Sequence, residues 1–181
     1  MIPTRRLLAP LLAPPVIALA AATVASHVAA GQVRSPPTAL PMLAPAGWVT
    51  DAAQVLDRGT TAAITAQLEQ LEQDTGHQMV VVTVRSLKGQ DIAAFTLRLA
   101  KAWGIGRRGI NDGVVLLVAP RERWVRIEVG LGLERVLTKA RCAAIIQQSM
   151  IPQFSRGDLP GGIAAGVAAL DRALRGKTIG D

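Results

Sequence analysis

The stretch Trp103–Pro120 reads WGIGRRGINDGVVLLVAP, and its interpretation decides the fold. Gly104, Gly106 and Gly109 match the spacing G-x-G-x-x-G. A dinucleotide loop of that spacing follows a strand and opens a helix, so that the helix N-terminus faces a pyrophosphate. Here the order is reversed. Upstream, Ile92, Phe95, Leu99 and Trp103 recur at helical spacing behind Asp91, a capping residue. Downstream, Gly113–Val118 has the β-branched apolar character of a strand. The loop therefore meets a helix C-terminus, whose dipole disfavours anions. Gly104 fits a helix stop and Gly109 a turn toward the strand. The nucleotide reading fails, and the segment becomes helix, turn, strand.

Working outward, Ala119–Arg123 is a short connection to RWVRIEVG, where Val125, Ile127 and Val129 alternate with Trp124, Arg126 and Glu128. That is the period of a half-buried strand, and the short link suits an antiparallel hairpin. On the other side, Gly59–Gly76 carries Ile64, Leu68 and Leu71 on one helical stripe, with Gly76 placed to end it. Met79–Val84 is a nearly uninterrupted apolar run, which suits a strand covered on both faces. Strand, helix, strand implies a parallel right-handed crossover. Beyond GLGLERVL, Thr138 caps a helix with Cys142, Ile145, Ile146 and Met150, and a last helix carries Ile163, Val167, Leu170 and Leu174. The expected class is α/β: a small mixed β-sheet of three to four strands sandwiched between helices, in the order α-β-α-β-β-α-α. No internal repeat is visible.

The ends read differently. Arg5 and Arg6 precede an apolar run, Leu7–Val24, and Val28 and Ala30 are small residues at signal-peptidase spacing. The expected organisation is a signal peptide over 1–30 and a Pro/Ala-rich linker over 31–46, then a folded domain over 47–176 and a tail over 177–181. Cleavage near Ala30 makes the protein periplasmic or secreted. The alternative is an uncleaved N-terminal membrane anchor, which Pro10, Pro14 and Pro15 weaken as a spanning helix. Without such an anchor, membrane contact is peripheral.

Loss of the two leader arginines lowers the formal charge from +7 to +5. The remaining basic residues are dispersed, and with only three tryptophans and two phenylalanines to interleave among them, nucleic-acid binding is not expected. The single cysteine, Cys142, cannot form an internal disulfide and sits in an apolar pattern as a buried thiol. A domain of this size without disulfides relies on its core. About 150 residues can bury roughly 70% of their unfolded surface, which suffices.

The chemistry available is oxygen chemistry. His77, the only histidine outside the leader, follows a helix-ending glycine as a solvated turn residue, and one His with one Cys makes no zinc set. No G-x-S-x-G elbow and no Walker loop is present. Asp51 lies ahead of the first helix, Asn111 and Asp112 at a strand entrance, and Glu128 and Glu134 around Gly130-Leu131-Gly132. Asp158 sits in a loop. Carboxylate and amide oxygens near strand ends suit a hard divalent cation such as Ca²⁺, with Asp51, Asn111, Asp112 and Glu134 as its ligands. Each also has an ordinary reading: Asp51 and Asn111-Asp112-Gly113 as turn formers, Glu128 paired with Arg126 along one strand face.

Four segments in order resemble the TPM domain, found in exported bacterial proteins and in a thylakoid-lumen protein of photosystem II repair. They are GWVTDAAQVLDRGT (47–60), TGHQMVVVTVRSLKGQDI (75–92), WGIGRRGINDGVVLLVAPRERWVRIEVGLGLERVLT (103–138) and IPQFSRGDLPGGIAAGV (151–167). The resemblance implies a small mixed sheet between helices. It also implies calcium binding, as in some members, and the acid phosphatase activity attributed to the plant relative. Asp51 matches the family aspartate before the first helix, Asn111 and Asp112 the acidic-amide pair, and Arg126, Glu128 and Glu134 the R-x-E…GLE segment. Two features depart from the pattern: Leu131 stands where the family often has an aromatic, and the sequence stops at Asp181 without the membrane helix and Gly-rich tail of many bacterial members.

Three functions are compatible with these residues. One is an accessory module that engages a membrane-protein complex in its assembly or maintenance. Another is a metal-assisted phosphomonoester hydrolase, in which a cation near Asp51 and Asp112 polarises phosphate oxygens, Arg126 steadies developing charge and Glu134 moves a proton. The third is a calcium-stabilised structural domain.

Overall fold

The computed structural model describes residues 43–176. The expected leader and the tail beyond 176 lie outside the described residues, as does the linker up to residue 42. Four strands, β1 (Val49–Asp51), β2 (Gln78–Thr83), β3 (Gly113–Ala119) and β4 (Trp124–Val129), form one sheet in the order β1-β2-β3-β4. β1, β2 and β3 are mutually parallel and β4 returns antiparallel to β3. The sheet is mixed, as the sequence pattern requires. β1 is the strand the sequence pattern leaves unassigned: three residues are too few to show a period.

Among the described residues five α-helices accompany the sheet: α1 (Arg58–Thr75), α2 (Ile92–Trp103), α3 (Lys139–Ile145), α4 (Ile151–Ser155) and α5 (Leu159–Leu174). Their starts follow local chemistry. Asp57, Asp91, Thr138 and Asp158 each accept a backbone N–H of the first turn, from Thr60, Ala94, Arg141 and Gly161 respectively, satisfying donors that have no partner within the helix. Gly76 and Gly104 end α1 and α2 in the left-handed conformation, which glycine adopts without steric cost.

Between α3 and α4 the helix widens into a π turn over Ile146–Met150. Pro152, in the first turn of α4, lacks an N–H and its ring crowds the carbonyl four residues back, so the ladder must open there.

The sheet is covered on both faces, and the alternation along its strands assigns each side chain to a layer. Met79, Val81, Val114, Leu116, Val118 and Ile127 pack under α1, α3 and α5, against Ile64, Leu68, Leu71, Ile145, Ile163, Val167 and Leu170. Val80, Val82, Val115 and Leu117 face α2, meeting Leu99, Ile92, Phe95 and Trp103. One face thus carries three helices, α1, α3 and α5, and the other the single helix α2. Cys142 is buried in the first layer, and burial pushes its thiol pKa up.

Each layer is tied to the chain entering it. Trp48 donates its indole N–H to Glu72 of α1 at 3.1 Å, and Trp103 donates to the carbonyl of Leu43 at 2.8 Å. The residues just before Gly47 therefore dock on α2. Trp124, by contrast, stands 47% exposed at the hairpin. Among the described residues no helix is long and apolar enough to cross a membrane.

Candidate functional site

The loop 104–112 is built by backbone contact. Gly106 (φ 93°) lies against Gly113, where an added Cβ would come within 2.6 Å of the Gly113 nitrogen. Gly130 and Gly132 lie just as closely on the carbonyls of Asn111 and Ile110, where a Cβ would overlap the oxygen. Gly132 N–H donates to Asn111 O at 3.0 Å and Gly130 N–H to Gly113 O at 2.8 Å. The glycines of the opening stretch and of GLGLE are therefore two halves of one clasp. A side chain at either would separate them.

Asp112 is the centre of this clasp, at 1% exposure. Its Oδ1 accepts the Arg107 backbone N–H at 2.8 Å and its Oδ2 accepts Arg107 Nε at 2.7 Å; Arg107 Nη2 also donates to Oδ2. Burial alone would raise its pKa. The Arg107 donors outweigh burial and hold the carboxyl at about 2. His77 Nδ1 lies 3.5 Å from Oδ2, buried and without a hydrogen bond. The Arg107 guanidinium in turn covers Gly76, and Gln78 Oε1 accepts Gly106 N–H at 2.7 Å. His77 is thus a half-buried neighbour of a buried carboxylate, not the solvated turn residue expected from its position. Burial makes the difference: the 104–112 loop folds over it.

Next to the clasp, α2, the loop and the end of β4 enclose a cavity of about 710 Å³. Lys101, Arg108, Asn111, Glu128 and Glu134 line it, with Leu97 and Leu131 among its apolar walls. Leu131 is 72% exposed, Leu97 42% and Ile110, on the adjoining loop, 49%. Asn111 adopts a positive φ of 55°, which asparagine tolerates better than most residues. Glu128 accepts from Arg126 Nε at 3.0 Å and Nη2 at 2.8 Å, the strand-face pairing anticipated from the sequence.

The four residues expected to share a cation are not brought together. Asn111 and Glu134 line the cavity; Asp112 does not. Asp51 is at the far end of the sheet, level with Thr83 and, through it, with Val118, whereas Asp112 precedes Gly113, level with Gln78. The two carboxylates are thus separated by six residue steps, about 20 Å along the strands. Asp51 accepts from Val55 N–H at 3.2 Å, Leu56 N–H at 2.8 Å and the Thr83 hydroxyl, and so fixes the turn into α1. No single ion fits that quartet. Among the described residues no three His, Cys, Asp or Glu side chains converge as a metal site. The residues that sequence reasoning missed are Arg107 and His77. The signal was present in R-R-G-I-N-D, an arginine and an aspartate on either side of a glycine turn, close enough to close on each other.

A family model for the TPM domain matches residues 49–173. No curated protein matches the chain closely enough to identify a relative. Among solved structures, the N-terminal domain of a P. gingivalis protein, determined by solution NMR, is 33% identical with a TM-score of 0.68, covering 71% of this chain and 82% of its own. The N-terminal domain of a Corynebacterium glutamicum protein is 20% identical, TM-score 0.57, covering 78% and 93%. A protein of the psychrophilic bacterium Bizionia argentinensis is 17% identical, TM-score 0.59, covering 68% and 83%. The latter two share the fold. With the mixed sheet, the glycine clasp and the match over residues 49–173 in place, this chain belongs to the TPM domain family.

Proposed function

We propose that this protein is an exported accessory module that engages a membrane-protein complex through the cavity between α2 and the end of β4. The observation that carries the reading is the composition of that cavity: exposed Leu97 and Leu131 beside Lys101, Arg108, Glu128 and Glu134. Exposed apolar residues rimmed by charge favour a protein partner. Of the acids that a hydrolase would use, Asp112 is engaged by Arg107 and Asp51 by the turn before α1, which leaves Glu134. Export rests on the leader-like first thirty residues. A partner is expected in affinity capture from detergent-solubilised membranes with wild-type protein, and its loss with Leu131→Asp. Equal recovery with the variant would remove the cavity from the reading. Phosphomonoester turnover by purified protein, abolished in Glu134→Gln, would replace it with the hydrolase.

A further inference from the structure

β4 is the outer strand of the sheet, and its free edge is open. Gly130 donates to Gly113, which sets the phase of the β3–β4 ladder. In an antiparallel ladder the groups facing one neighbour alternate. Glu128, Arg126 and Trp124 therefore turn their backbone groups to β3, and Val125, Ile127 and Val129 turn theirs outward. Among the described residues no strand lies beyond them. A groove of about 700 Å³ runs along this edge, between β4 and α3, with Val125, Ile127, Val129 and Ala143 among its apolar lining and Glu134 and Lys139 among its charged lining. Of the devices that blunt an edge, proline, lysine and a bulge are absent from WVRIEV, and the charges present, Arg126 and Glu128, are paired with each other.

What fits this edge is written in the strand itself. About Ile127 the sequence is self-complementary: valine at 125 and 129, arginine at 126 and glutamate at 128. We infer that β4 is a homodimer interface, pairing antiparallel with β4 of a second copy about a two-fold axis through Ile127. Val125 then hydrogen-bonds across to Val129 of the second copy and Ile127 to its own counterpart, so the three outward residues are all satisfied. Arg126 falls opposite Glu128 at non-hydrogen-bonded positions, where side chains approach most closely. In the isolated chain these two charges pair with each other at 2.8 Å; in the dimer they re-pair across the axis. The interface is isologous and closes on itself, leaving no free edge on that side of either sheet. It rests on the backbone edge of β4, whereas the accessory reading rests on Leu97 and Leu131; Glu128 and Val129 border both surfaces.

The test uses charge reversal on the protein purified from expression of the full chain. Arg126→Glu places glutamates at both 126 and 128, and Glu128→Arg places arginines at both, so each alone sets like charges opposite one another in the dimer. Mass measured by sedimentation over a concentration series is expected to double for wild type. Each single variant should require about tenfold more protein to do so. An equimolar mixture of the two should recover wild-type assembly, as should the double variant carrying both reversals. Amide exchange at Val125, Ile127 and Val129 should slow with wild-type concentration, a readout that does not depend on any substitution. A wild type that stays monomeric to about 1 mM overturns the inference. So do single variants that assemble as well as wild type, or a mixture that fails to recover while each variant keeps its native circular dichroism.

Discussion

Replacing Asp112 by asparagine tests whether the Arg107–Asp112 clasp holds the loop. Asparagine keeps the shape and one acceptor but removes the charge that three Arg107 donors address. The carboxyl is held at about 2 against an ordinary 3.8. A tenfold change in proton affinity corresponds to about 1.4 kcal/mol, so the ceiling is about 2.5 kcal/mol. Arg107 is 54% exposed on its side chain, and solvent screening of that half reduces the expected value to about 1–2 kcal/mol. The sign follows from the direction in which the pKa moves. A carboxylate with a depressed folded pKa contributes its stability in full above 3.8 and loses it as pH falls from there through about 2. Unfolding free energies of wild type and Asp112→Asn from urea denaturation should therefore differ at pH 7 by that amount, and the difference should shrink by about half or more between pH 4 and pH 2. A gap that is the same at pH 7 and pH 2 would refute the ion-pair account, because only burial or shape would then be at issue. No gap at pH 7 would refute the clasp itself.

Other consequences are equally direct. Gly130→Ala should cost about 1–3 kcal/mol in urea denaturation, because its Cβ would overlap the Asn111 carbonyl and backbone cannot step aside as a flexible side chain would. Leu68→Ala, at 0% exposure under the sheet, should cost about 2–5 kcal/mol, and a smaller loss would mean that α1 packs less tightly than described. Glu128→Gln should leave stability within about 1 kcal/mol, since Arg126 is 42% exposed and its pair is screened. Asp51→Asn should lower the melting temperature by weakening the turn into α1, yet leave any calcium-induced shift of that temperature unaltered. Loss of the calcium shift with an unchanged apo melting temperature would return Asp51 to a cation site.

The fold is readable wherever one physical signal outweighs the rest. The stripes Ile64–Leu68–Leu71 and Ile163–Val167–Leu170, the apolar runs of β2 and β3 and the alternation of β4 each fix an element through burial, and all are found in place. The order of helix before glycines before strand is enough to set aside a nucleotide loop. β1 is not legible, because Val49–Asp51 acquires its strand character from pairing with Val81–Thr83 and not from its own pattern. The π turn is hidden for a similar reason: Pro152 announces a disturbance but not how the ladder absorbs it. The site is legible in part. Asn111, Glu128 and Glu134 do line one cavity, since the loop and the end of β4 are joined by glycine contacts. Asp51 is misplaced by the sequence pattern because chain order does not tell at which end of a parallel sheet a residue emerges. Asp112 reads as available in the sequence, whereas its charge is already answered by Arg107.

The sequence has no tyrosine, so its ultraviolet emission belongs to three indoles in three surroundings. Trp48 is hydrogen-bonded to α1 on the crowded side, Trp103 is stitched to Leu43 on the side of the lone helix, and Trp124 stands half in solvent at the tip of the hairpin. Keeping one and converting the others to phenylalanine turns the protein into three separate optical probes. Each then shows whether the two halves of the molecule melt together or in sequence, with no dye attached.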